Sequence, residues 1–299
     1  MTTGIIDDDA PRAGSALRGN VLGALSMAVW ALGFPAADAL LATWPPTLMV
    51  PGRFLFALLV VVPLWLLSEG VPRGLPWGRG LFVGALGIGG AAVLLIHAQA
   101  VTDPVTVAVI ASVSPLTGAL VEVAYRERRL SRSFLVGLLA SVAGGVIATM
   151  GGGAGQGNLA LGGVLAVGSC LLYSWGGHQT VRAMPGRSAL AQTAVTLIGA
   201  GIATGLAGAL AVGSGAAVPD WGLRDVGLFA VYGVAGMAVS QVLFVAAVRH
   251  IGIALASFHI NAAPFYVMLL MAALGGGWSW TQAGGAAVVV LGVVVAQRG

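Results

Sequence analysis

The chain has no lysine at all: its fourteen basic residues are all arginine. Charged residues make up only 8% of its 299 positions, where soluble domains carry about 25%. A soluble globular fold is therefore excluded for most of the chain. One cysteine, Cys170, is present, so no intrachain disulfide and no Cys-based zinc site can form. The enzyme signatures HExxH and GxSxG are missing, as is an aspartate pair placed like a protease dyad. An intramembrane enzyme is thereby disfavoured. Basic residues form no patch interleaved with aromatics, so the net charge of +4 does not point to nucleic acid. Residues 1–18 are polar and contain Asp7, Asp8 and Asp9, unlike the positive start of a signal peptide. They are expected to form a cytoplasmic tail.

What the chain does have is apolar length. It is 58% hydrophobic, with a mean hydropathy of +0.96. A spanning helix needs about 20 mostly apolar residues. Ten such stretches are predicted, at about 19–41, 46–68, 78–101, 104–125, 133–150, 159–181, 188–213, 223–248, 252–274 and 279–297. The expected fold is an all-α integral membrane protein of ten transmembrane helices, with membrane lipid as its surroundings.

Arginine placement gives an orientation. Arg12, Arg18, Arg73, Arg79, Arg126, Arg128, Arg129, Arg132, Arg182, Arg187, Arg249 and Arg298 fall before the first stretch, in every second gap, or after the last. The other gaps hold only Arg224, and Arg53 lies inside a stretch. Because cytoplasmic loops are rich in Arg and Lys, both termini are expected to be cytoplasmic. With a composition pointing to a GC-rich bacterium, the expected location is a bacterial inner membrane.

The two halves resemble each other. Ala98–Leu120 and Ala246–Leu269 align so that Pro115 corresponds to Pro264, and each is followed by a glycine-rich last stretch. The segment around Trp30 matches the segment around Trp175. Five stretches per half make the second copy enter the membrane inverted, the design of many secondary transporters. The expected units are residues 19–150 and 159–297, with a central cavity between them.

On these features the chain resembles the ten-helix, EamA-like group of the drug/metabolite transporter superfamily. The resemblance rests on Trp30-Ala31-Leu32-Gly33-Phe34, Arg53-Phe54, Pro115, Glu127-Arg128, the Pro264 region and the glycine-rich end, and it covers nearly the whole chain. It implies transport of small organic solutes, often export, with amino acids in prospect and the aromatic amino acid exporters as the branch of greatest likeness. The family's usual Glu before the last span is absent, where Gly275-Gly276-Gly277-Trp278 stand. That departure favours a topogenic role for Glu127.

Polar and aromatic residues deep in a bundle tend to face its interior. Trp30, Phe34 and Asp38 share one helical face, as do Trp175, His178 and Gln179; Ser257 and Asn261 share another. The substrate-binding candidates are Trp30, Phe34, His97, Gln99, Trp175, His178, Gln241, His259 and Asn261. His97 and Gln99 cannot both face one cavity, nor can His259 and Asn261, and the spacing leaves each choice open. Trp44, Trp77, Trp221, Trp278 and Trp280 lie near stretch ends as interfacial anchors. Asp38 and Arg53 are expected to pair. No carboxylate is placed near mid-membrane, so movement down the substrate's own gradient is expected ahead of proton-coupled efflux. No metal or cofactor is expected, and monomer and homodimer both stay open.

Overall fold

The computed structural model describes residues 13–297, apart from 72, 128, 130, 152–157, 245, 248–249 and 251–258. Ser257, Arg12, Arg128, Arg249 and Arg298 lie outside the described residues. All regular structure among the described residues is helical. Among the described residues, seven helical stretches are long and apolar enough to cross a membrane: Ala16–Leu41, Pro46–Ser68, Trp77–Ala100, Pro104–Ala124, Ala160–Thr180, Ala189–Gly213 and Leu223–Phe244. Three further apolar helices are shorter, at Arg132–Ala148, His259–Ala273 and Trp280–Val295. Large apolar side chains such as Leu67, 89% exposed, cover the outside. In water this surface would aggregate; in lipid it costs nothing. The chain is a multi-pass membrane protein.

Prolines divide these stretches. Helix α1 (Ala13–Ala31) begins within the segment read as a tail and is separated from α2 (Gly33–Leu41) at Leu32. Pro35 then lacks the N–H that would carry the ladder across the junction. Helix α3 (Pro46–Ser68) opens with proline in its first turn, where no donor is needed. Helix α4 (Trp77–Val83) runs through a π-helical segment, Gly84–Gly90, into α5 (Ala91–Ala100). Asp103 caps α6 (Pro104–Ala111), accepting from the backbone N–H groups of Val105 and Thr106 at 3.0 and 2.9 Å. A turn at Ser112–Val113 precedes α7 (Ser114–Ala124), with Pro115 in its first turn.

Helices α8 (Arg132–Gly151), α9 (Leu159–Ala183) and α10 (Ala189–Gly213) follow. The side chains of Asn158 and Ser188 cap the last two. Helix α11 (Leu223–Phe229) passes into a second π-helical segment, Ala230–Val239. A 3₁₀ turn, His259–Ala262, leads into α12 (Ala263–Ala273), with Pro264 in its first turn; α13 (Trp280–Gln297) closes the chain.

Small residues decide which helices touch. With lipid tails as apolar as leucine, helices associate through close packing rather than water exclusion. Gly33 meets Gly236, and Gly87 meets Gly176; a Cβ on any of the four would stand 2.4–3.3 Å from the facing backbone. Helices α8 and α13 pack along each other, with Gly144 against the Gly285 carbonyl and Gly292 against Ser141. Trp44 lies between α2 and α3, at a span end. It is buried, edge-on to Trp221 and Phe229 with ring centroids 4.6 and 5.1 Å away. Trp278 and Trp280 stay exposed.

Candidate functional site

A cavity of about 80 Å³ lies among α1, α3, α5, α9 and the second π-helical segment. Its apolar wall includes Met27, Trp30, Met237 and Phe244. Its polar wall includes Ser26, Arg53, Ser114, Tyr173, Ser240 and Gln241. Trp30 and Arg53 also border a smaller adjoining space, with Phe34, Gln99 and Tyr232 on its far side. Trp30 meets Phe34 edge to face, with centroids 4.9 Å apart.

The π-helical segment shapes the polar wall. A π-turn shifts the hydrogen-bond register of a helix, which is why such turns recur at functional sites. Two carbonyls in and just after this one accept bonds from other helices. Arg53 Nη2 donates to Gly236 O at 2.9 Å, and Ser26 Oγ donates to Ser240 O at 2.7 Å. Across the cavity, Tyr173 Oη donates to Gln241 Oε1 at 3.0 Å. Ser114 and Ser169 give their hydroxyl protons to the carbonyls of Ala111 and Ala91. The lone pairs of these hydroxyls are the part left for a ligand.

Arg53 is the charge of the site. It is 4% exposed, and its guanidinium carbon lies 4.5 Å from the centre of the Tyr232 ring. Burying an ion costs several kcal/mol. A desolvated cation–π contact returns up to about 2 kcal/mol, and a charged hydrogen bond about 1.5–3 kcal/mol. Its Nε has no partner. The expected Asp38–Arg53 pair does not form. Arg53 points inward to the π-helical segment, whereas Asp38 occupies the exposed face of α2.

The sequence candidates separate into groups. Trp30 and Gln241 line the main cavity; Phe34 and Gln99 line the adjoining space, where Gln99 Nε2 donates to Phe34 O at 2.9 Å. His97 turns away, its Nδ1 lying 2.8 Å from Val93 O on its own helix. Trp175 and His178 sit in a second cluster at the ends of α7 and α9. There Trp175 Nε1 donates to Tyr125 Oη at 3.2 Å, and the His178 ring lies 4.7 Å from that of Tyr125. His178 Nε2 is 3.0 Å from Glu127 Oε2, and Arg182 pairs with the same carboxylate. Glu127, in the turn after α7, thus binds two residues of α9.

His259 packs on Gly23 with its Nε2 3.2 Å from Asn20 Oδ1. Asn261 is buried with an unpartnered Oδ1, off both cavity walls. Sequence reasoning missed Tyr173 and Tyr232, having weighed the tryptophans first. It also set Arg53 aside as a paired charge, although an ionisable residue within a span is by default a functional candidate. Among the described residues no cluster of His, Cys, Asp and Glu is arranged to hold a metal.

Residues 17–150 match the model of the EamA-like transporter family. Among curated proteins no match is found. A solved crystal structure of another protein is similar over 94% of this chain and 97% of that one, at 19% identity and a TM-score of 0.66. That likeness concerns the fold alone.

Proposed function

We propose that this chain, whose residues 17–150 match the model of the EamA-like transporter family, moves small organic solutes, most readily neutral amino acids with apolar or aromatic side chains, out of a bacterial cytoplasm by alternating access. The observation that carries the reading is the cavity, whose walls come from both halves of the chain: Trp30 and Arg53 from the first, Tyr173 and Gln241 from the second. An apolar aromatic wall facing hydroxyls and an amide suits a solute with a polar head and an apolar body.

Ten spans in two inverted repeats are part of this proposal. The three shorter apolar helices stand where three of the ten predicted spans fall. Pro115 to Pro264 and Gly87 to Gly236 both span 149 positions; the prolines open helices after a break, and the glycines lie in the two π-helical segments. The glycine contacts cross over accordingly: α2, in the first span of the first half, meets the second π-helical segment, and α9, the first helix of the second half, meets the first. A pseudo-twofold axis between the halves accounts for this exchange and offers two packings of similar energy, the basis of alternating access.

Facilitative movement is the mechanism we favour over proton-coupled efflux. Among the described residues no Asp or Glu lines either cavity, and His97 and His259 lie off their walls. In vesicles holding the pure protein, a labelled amino acid panel should show counterflow with no proton or sodium gradient. Concentration of substrate driven by an imposed pH gradient would overturn the mechanism, and counterflow of no amino acid would overturn the substrate class.

A further inference from the structure

We propose that Arg53 is the anchor for a substrate carboxylate, so that the site requires an acid group and can dispense with an amino group. This rests on the transporter reading above and narrows it. The guanidinium is a planar fork of five N–H donors, suited to gripping a carboxylate through two parallel bonds. One of these donors is committed to the Gly236 carbonyl, and Tyr232 covers a ring-sized patch of the group. Nε, by contrast, is buried and unpartnered. The residue borders both cavities, the space a solute would fill.

Charge complementarity points the same way. Among the described residues no carboxylate pairs with Arg53, and no Asp or Glu lines either space. The walls therefore hold one full positive charge and no negative one. A cation entering would meet repulsion, and a neutral solute would leave the guanidinium as it is. A monoacid supplies the missing charge in a medium where ion pairs are poorly screened. Nothing on the walls makes an equivalent demand for an ammonium group. The nearest acceptors are neutral: the serine hydroxyls and Gln241, whose Oε1 already takes the Tyr173 proton. Trp30, Met27 and Phe244 then receive the apolar body of the acid.

The test uses three probes with one apolar body: L-phenylalanine, its carboxamide, and 3-phenylpropanoate, which keeps the carboxylate and lacks the amine. Binding to the purified full-length protein is read by tryptophan fluorescence and by the ligand-induced rise in melting temperature. The two acids should bind, and the carboxamide should bind at least roughly tenfold more weakly, the scale set by losing a charged hydrogen bond. Arg53→Met should lower acid binding by a similar factor, read against its own ligand-free melting temperature. Arg53→Lys keeps the charge without the fork and should give an intermediate acid-to-amide ratio. It also serves as the test if the methionine variant does not fold.

Carboxamide binding equal to that of the acids would overturn the inference. So would undiminished acid binding by Arg53→Met, or an unchanged ratio in Arg53→Lys. Failure of all three probes to bind would overturn it too. Counterflow of any amino acid by the unmodified protein would leave the transporter reading standing in each of those cases.

Discussion

At the level of single residues, the same type of side chain does different work according to what faces it. Trp30 stands on a cavity wall, Trp44 is buried in an aromatic cluster, and Trp280 is 80% exposed. Replacing Trp30 with Ala should cut transport by at least roughly tenfold, as expected for an aromatic anchor. Trp280→Ala should leave it unchanged; vesicle counterflow compares the two. Tyr173→Phe removes the proton that holds the Gln241 amide, and should weaken substrate binding several-fold, about the 0.5–1.5 kcal/mol of a net hydrogen bond. Binding isotherms of the two proteins measure this. Glu127 bridges His178 and Arg182, but all three are partly exposed. Such pairs contribute about 0–1 kcal/mol, so Glu127→Gln should lower the melting temperature only slightly. The composition of the site was visible in the chain as a set of polar and aromatic residues of suitable depth. Which of them face the cavity was not: Trp175 and His178 share a helical face, yet that face turns to Tyr125 and Glu127.

At the level of helices, glycine and proline set the architecture. Gly87 and Gly176 bring two backbones into contact, and a Cβ on Gly87 would stand 2.4 Å from the Gly176 Cα. Gly87→Ala should destabilise the protein by roughly 1–3 kcal/mol, the cost of overpacking. Gly145, on a face with nothing within 4 Å of its would-be Cβ, should accept alanine without loss. Thermal melting of the two purified variants separates these outcomes. The prolines were legible as breaks, and Pro115 and Pro264 do open helices. The two π-helical segments were not legible. Their sequences, GALGIGG and AVYGVAGMAV, read as ordinary apolar helix. Both segments pack closely on other helices, one on Thr196 and Gly176 and the other on Arg53 and Gly33.

For the whole molecule, orientation is the property most directly testable. The arginine pattern predicts a cytoplasmic gap at Gly186 and an external one at Ser214. In a Cys170→Ala background, a cysteine at position 214 should react with an impermeant reagent added to intact cells, and one at 186 should not. The reverse pattern would invert the proposed topology. Apolar runs by themselves determined that this chain lives in a membrane as a bundle of helices, because a run of that length has no other solvent. Arginine bias and internal likeness determined the expected orientation and repeat. Tertiary structure alone decided the site. Helical periodicity gives each residue an angle about its own axis, but not which neighbour occupies that angle. The inward turn of Arg53 to a carbonyl 183 positions away, in place of the nearby Asp38, is a contact that no local pattern encodes.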